Sequence, residues 1–337
     1  MSSAPAADEL EALWKELDNE PVGPSAAGRR VRRVLLKSSH HCFVGVEHPS
    51  RQRVFSVVAD DIPAGATNGL LATAGVMITS GTHFGVGTTV DLVLRASTHS
   101  DIFTALVADL LVLLSHGAGS PGRILVDRLV EWQRMLASVG PAGLTPERQR
   151  GLFGELHTLS DLLLPTLGSA AVPAWTGPDQ DLQDFQFESG SVEVKTVAGH
   201  EPSKVRINSE RQLDATGPGR LFLVTLALDA RRGGRGTSLP ELVAHLRRQA
   251  SDHGVHAELD QRLVRAGYLD TQSHLYLDRR YVLRQRLVHS VAEGFPRITE
   301  GDTPSGVSNV SYTLDLLAAT PFLVSPAEMT DALDTNV

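Results

Sequence analysis

The 337-residue chain has a single cysteine, Cys42. A disulfide framework is therefore excluded, and a reducing cytoplasm is the expected compartment. Aromatic residues make up only 5% of the chain, which argues against an extended base-stacking groove for single strands. No apolar stretch reaches the roughly 18 residues of a membrane span. The longest candidate, Ile102 to Leu114, contains Asp109 and reads as a core helix. The N-terminus lacks a basic region followed by an apolar core, so no signal peptide is expected. Thirteen histidines are scattered without HExxH spacing. Positive charge is in short supply: the net charge is −8, so any surface that gripped phosphates would depend on local clusters. Three clusters exist, at Arg29, Arg30, Arg32 and Arg33, at Arg231, Arg232 and Arg235, and at Arg279, Arg280, Arg284 and Arg286. Such a cluster is more often a solvated face or loop than a nucleic-acid contact. Lysine is scarcer still, with only Lys15, Lys37, Lys195 and Lys204 among 31 basic residues.

Hydrophobic content of 42% and charged content of 21% are ordinary for a globular chain, and this length predicts two or three domains. Residues 1–28 read as a short acidic helix and a linker. Residues 29–98 read as a β-rich domain, a small sandwich or barrel, because short strands recur with turn signals between them. The period then changes to helical, and 99–144 form a helical connector. Residues 145–230 carry the chemistry described next, and 231–337 form an α/β extension. The predicted class is α/β (α+β).

The chemistry centres on Asp184 to Lys195. Two runs of period-2 alternation flank the turn signal Ser189-Gly190-Ser191. Phe185, Phe187, Val192 and Val194 fall on one set of positions, and Asp184, Gln186, Glu193 and Lys195 on the other. A turn centred on 188–190 places Asp184 opposite Glu193 or Lys195, on one face of a hairpin. Two carboxylates at that spacing can hold a hard divalent cation, and the ammonium can stabilise charge building on a phosphate. The same pattern would also suit a solvated hairpin face with a cross-strand ion pair. A lysine here is mildly informative, because arginine is this chain's usual cation and a compact point charge is a different tool.

Upstream, Thr145-Pro146-Glu147 starts a helix with Thr as N-cap and Pro in the first turn. Leu152, Leu156, Leu159 and Leu163 follow at helical spacing, and Pro165 ends the run. Glu155 lies on the buried side and needs a partner, either a metal or catalytic lysine, or an arginine in a buried ion pair. Elsewhere, adjacent His40 and His41 beside Cys42 would point to opposite faces of a strand, so one metal site could use only one of them. Gly81 to Gly87 is glycine-rich but lacks the Gly-Lys-Ser/Thr ending of a phosphate loop and reads as a hairpin loop.

Gly154-Glu155-Leu156, Trp175-Thr-Gly177-Pro178, Asp184-Phe185, Glu193-Val194-Lys195-Thr196 and Ser209-Glu-Arg-Gln212-Leu213 together resemble the PD-(D/E)XK nuclease superfamily. More narrowly they are similar to a bacterial family of PD-(D/E)XK motif proteins encoded near restriction and phage-defence genes. The resemblance covers 145–230 by motif and continues more loosely through Phe295-Pro296-Arg297-Ile298 and Tyr312 to Leu316. It implies a restriction-endonuclease-like mixed sheet flanked by helices, cutting DNA with Mg²⁺, or with Mn²⁺ as a substitute. Asp184, Glu193 and Lys195 match the catalytic positions, Glu155 the helix acid that completes the metal set, and Gln212 a supporting polar position. The literal Pro-Asp pair is Pro178-Asp179. Asp184 is favoured because Asp179 would pair beyond the Glu-x-Lys strand, with Asp181 next in line. The expected partners are DNA and other defence-cluster proteins, such as an ATPase, helicase or methyltransferase, with no membrane. A homodimer would supply the two sites that double-strand cutting needs. The alternative is a nuclease fold kept as a silent DNA-binding or scaffolding subunit of a defence complex. An RNA nuclease is less favoured, since no RNA-recognition signature is present.

Overall fold

A computed structural model describes residues 5, 7–20, 28–62, 65–72, 75–82, 87–115, 119–139, 142–179, 182–199, 203–214 and 219–334. The chain divides into two compact units, residues 1–141 with 269–271, and residues 142–268 with 272–337.

In the first unit, helix α1 (Ala7–Asn19) precedes five strands: β1 (Gly28–Val34), β2 (Cys42–His48), β3 (Gln52–Val58), β4 (Val76–Thr82) and β5 (Thr88–Leu94). Helices α2 (Ser100–Ser115) and α3 (Pro121–Val139) follow. The strands form one antiparallel sheet in the order β1-β2-β3-β5-β4, rather than the sandwich or barrel expected from their spacing. The reason lies in the covering layer. Leu10, Trp14 and Leu17 repeat at helical spacing and are all buried. Trp14 of α1 packs on Phe103 of α2 with ring centroids 5.6 Å apart, and α1 also packs on β2. Helices supply the apolar layer, so the sheet needs no second sheet. Asp109, the acid within the apolar run of α2, is held by Arg128 at 2.9 Å and by the Trp132 indole at 2.8 Å. The expected linker lies outside the described residues apart from Gly28, as do residues 83–86 of the glycine-rich loop.

The second unit is built on a six-stranded mixed sheet ordered β10-β11-β9-β7-β6, with β13 also pairing β11. Its strands are β6 (Phe185–Phe187), β7 (Gly190–Ala198), β9 (Arg220–Arg232), β10 (Thr237–Ser238), β11 (Arg279–Ser290) and β13 (Leu323–Val324). Strands β7 and β9 are parallel, and the other pairs are antiparallel. A separate ribbon pairs β8 (Lys204–Ile207) with β12 (Tyr312–Asp315). The helices are α4 (Pro146–Thr158), α5 (Leu164–Leu167), α6 (Leu239–Asp252), α7 (His256–Arg265) and α8 (Pro326–Leu333).

Both faces of β9 are covered, which accounts for its unbroken apolar sequence. Phe222, Val224 and Leu226 join Val192 and Val194 of β7 in the larger core, against Leu152, Phe153, Leu156, Leu242 and Leu246. Leu221 and Leu223 face a smaller core with Val205, Ile207, Leu213, Phe295 and Leu314. Helix α4 starts as expected: the Thr145 side chain accepts a hydrogen bond from the Arg148 N–H, with Pro146 at the first turn. Pro165, however, does not end the helical path. The turn at Leu159–Leu163 widens to a π-helix, α5 follows, and termination comes at Gly168 with φ +58°. Proline lacks the N–H that a regular helix would use, and the wide turn before it absorbs the missing bond.

Candidate active site

Gly154 brings α4 unusually close to the sheet. A Cβ at this position would lie 2.2 Å from Thr196 Cγ2 on β7, so only glycine permits the observed approach. That approach sets where the next residue, Glu155, projects. On β7 itself, Glu193 and Lys195 are two apart and therefore share one face. The β6–β7 register pairs Phe185 with Val192 and Phe187 with Gly190. Continued by one residue it places Asp184 across from Glu193. Of the two registers open from sequence, this is the Glu193 one.

The four charged side chains meet. The Asp184 carboxylate accepts a hydrogen bond from the Val194 backbone N–H at 2.7 Å. Lys195 Nζ lies 2.6 Å from Glu193 Oε1 and donates to Gln212 Oε1 at 3.1 Å. Gln212 Oε1 also accepts from the Asn208 N–H at 2.9 Å, so the expected supporting residue is itself fixed in the turn after β8. Glu155 Oε2 accepts from the Trp175 indole N–H at 2.8 Å. The arginine partner considered for Glu155 is replaced by this tryptophan and by the acid–lysine cluster.

Glu193 is 1% exposed, and burial, followed by the charge of Asp184, pushes its carboxyl up to about 8. The attraction and hydrogen bond of Lys195 oppose that rise. Glu155 is raised well above the usual carboxylate range, first by burial, then by Asp184 and Glu193, against the Trp175 hydrogen bond and Lys195. Asp184 is raised by burial, against the charge of Lys195 and the Val194 N–H. Glu155 and Asp184 retain some open surface. Lys195 goes the other way from what its burial alone would dictate. The three carboxylates hold it above its ordinary value, so the ammonium stays protonated through neutral pH.

The segment before Asp184 belongs to the motif set, but its role at the site is not legible in the sequence. The Thr176 and Gly177 N–H groups both donate to the Asp184 carbonyl, at 2.9 and 3.0 Å. A Cβ on Gly177 would lie 2.8 Å from Glu155 Oε2 and 3.2 Å from Asp184 Oδ1, so the two carboxylates close in on the bare Cα of this residue. Gln183, 7% exposed, donates to the carbonyls of Arg211 and Gln212 at 3.3 and 3.4 Å. It ties the Asp184 segment to the turn that carries Gln212. The signal that could have found Trp175 is general: a buried tryptophan needs an acceptor for its N–H. Asp179 closes a single 3₁₀ turn, Gly177–Asp179, and Asp181 lies outside the described residues.

Three anionic oxygen donors suit a hard divalent cation, and a cation would relieve the mutual repulsion that raises Glu155 and Glu193. The side chains as they stand do not enclose one point. Among the described residues no three His, Cys, Asp or Glu side chains are placed to hold a single ion. The remaining sequence candidates do not form sites. His40 places Nδ1 3.0 Å from the Leu114 carbonyl and Nε2 3.2 Å from that of Gly119. Cys42 is buried, and burial pushes its thiol up to about 12. Much of the clustered arginine is neutralised. Arg29 pairs with Asp91, Arg32 with Glu16, Arg280 with Glu241, Arg231 and Arg284 with Asp229, and Arg286 with Asp161.

A mixed sheet flanked by helices, with an Asp at a hairpin start, Glu-x-Lys on the next strand and a helix Glu beside them, defines the PD-(D/E)XK class. A family model described as "Putative PD-(D/E)XK family member (DUF4420)" matches residues 10–317, and the chain belongs to this family. The match runs through both units, well beyond the segment that carries the motifs. Neither curated proteins nor solved structures gave a match. Nucleases of the PD-(D/E)XK superfamily generally use divalent metal ions. No helix among the described residues is long and apolar enough to cross a membrane.

Proposed function

We propose that the protein is a Mg²⁺-dependent DNA endonuclease working in a bacterial restriction or antiphage role. The observation that carries this reading is the convergence of Glu155, Asp184, Glu193 and Lys195 from three chain segments. A merely solvated hairpin face would not recruit a helix acid or lie buried. Asp184 and Glu193, with Glu155, would hold the metal. When bound, such an ion lowers the pKa of a water molecule and polarises the scissile phosphate. Lys195 is held by Glu193 and Gln212 and stays protonated, so it serves as a fixed positive charge. It orients the attacking water and offsets charge on the pentacovalent phosphate rather than accepting a proton. Burial of Glu193 strengthens each of these interactions by excluding water.

The second reading, a silent DNA-binding or scaffolding subunit, is favoured by one observation, a carboxylate set that does not by itself enclose an ion; the paired arginines fit its scaffolding form better than its DNA-binding form. Supercoiled plasmid distinguishes the two. Purified protein with Mg²⁺ or Mn²⁺ is expected to nick or linearise it, EDTA to stop the reaction, and Glu193→Ala to abolish it. Folded protein that cuts with neither metal yet shifts the same DNA on a gel would support the binding reading.

A further inference from the structure

We propose that Trp175 is a positioning residue that fixes Glu155 for metal binding; this rests on the divalent-metal reading above. Glu155 stands among two other carboxylates, and repulsion alone would turn it away from them. Its Oε2 is instead held at 2.8 Å by the Trp175 indole N–H. An indole offers one donor in the plane of a rigid ring and no acceptor, so it can hold one oxygen of Glu155 while leaving the other for a ligand.

The ring that holds it does not move easily. Trp175 is 0% exposed and belongs to the larger core. Its backbone N–H donates to the Val172 carbonyl at 3.1 Å, it forms a β-bridge to Phe185, and its backbone carbonyl accepts from Arg262. The two residues that follow hold Asp184 through its carbonyl. Residues 175–177 thus set one acid by its side chain and a second by its backbone. The bare Gly177 Cα lets both approach. Outer partners that orient ligating carboxylates in this way commonly matter about 10–100-fold in metal affinity.

The test is Mn²⁺ binding at neutral pH by isothermal titration, on wild type, Trp175→Phe, Glu155→Ala and the double variant. Phenylalanine keeps an aromatic ring in the core and removes only the donor and part of the volume. Trp175→Phe is expected to weaken Mn²⁺ binding about tenfold, and the double variant to bind no more weakly than Glu155→Ala alone. Wild-type affinity in Trp175→Phe would overturn the proposal. So would an equal loss on both backgrounds, because the tryptophan would then be acting on stability and not through Glu155. A wild type that binds no Mn²⁺ would remove the metal reading and the proposal with it, an outcome distinct from the other two. A ¹⁵N spectrum keeps the test independent of the Phe variant's folding. Of the three indole N–H signals, one is expected to shift in Glu155→Ala, and the same one on adding Mg²⁺ to the wild type. If Glu155→Ala moves none of them, the hydrogen bond does not exist in solution and the proposal fails.

Discussion

At the scale of single residues, the site rests on charge balance among largely buried side chains. Lys195 is the one cation among three carboxylates, and its two contacts, to Glu193 and Gln212, leave it little freedom. Removing it should cost about 10²–10³-fold in cleavage while leaving the circular dichroism spectrum unchanged. A Lys195→Ala variant that cuts at the wild-type rate would rule out the assigned role. Lys195→Arg should rescue little, because a planar fork cannot occupy the place of a compact ammonium. In the sequence, alternation and resemblance single out the charged residues and Gln212. Asp184, Glu193, Lys195 and Glu155 could be named because they are polar or charged where their neighbours are apolar. Trp175 and Gly177 could not be given a role, since their contribution is a distance to atoms far away in sequence.

At the scale of elements, the contact between α4 and β7 decides whether Glu155 reaches the hairpin at all. Gly154→Ala tests it by sign. In an unobstructed helix the change would stabilise by about 1 kcal/mol. Here the added methyl meets Thr196 Cγ2, so thermal unfolding should report a loss of about 1–3 kcal/mol. Adding Thr196→Ser, which removes that methyl, should recover part of it. A stabilised Gly154→Ala would mean the helix sits further from the sheet than described. The start of α4 is legible in the sequence because capping is local: the Thr145 side chain and Pro146 satisfy the first turn from within a few residues. The helical path does not end at Pro165, because a π-turn that rescues a proline depends on packing and leaves no pattern in the sequence.

At the scale of the molecule, the buried acids link stability to pH and to metal. Burial, with the charge of Asp184, pushes the Glu193 carboxyl up to about 8 in the native protein, against an ordinary value of 4.5 for the unfolded chain. Between those values the native state holds the extra proton. The stability this proton contributes is fully present below about pH 4.5 and is lost as pH rises through about 8, a few kcal/mol at most. In EDTA the melting temperature should therefore fall between pH 5 and pH 8, and Glu193→Gln should flatten that slope. Mg²⁺ should raise the melting temperature more at pH 8 than at pH 5, because it binds the native carboxylates in their charged form. An equal effect at both pH values would count against these carboxylates as ligands.

Local information settled the positions of most strands and helices, the cap residues and the absence of a disulfide framework, and it singled out the charged residues proposed for the site. These follow from side-chain periodicity and from short-range hydrogen bonding, both of which act within a few residues. Tertiary structure decided how the first five strands are covered, the single-sheet arrangement that results and the pairing of arginines with distant acids. It also decided which acceptor the buried Trp175 finds. Each of these depends on contacts between segments tens of residues apart, where the chain's order gives no measure of proximity.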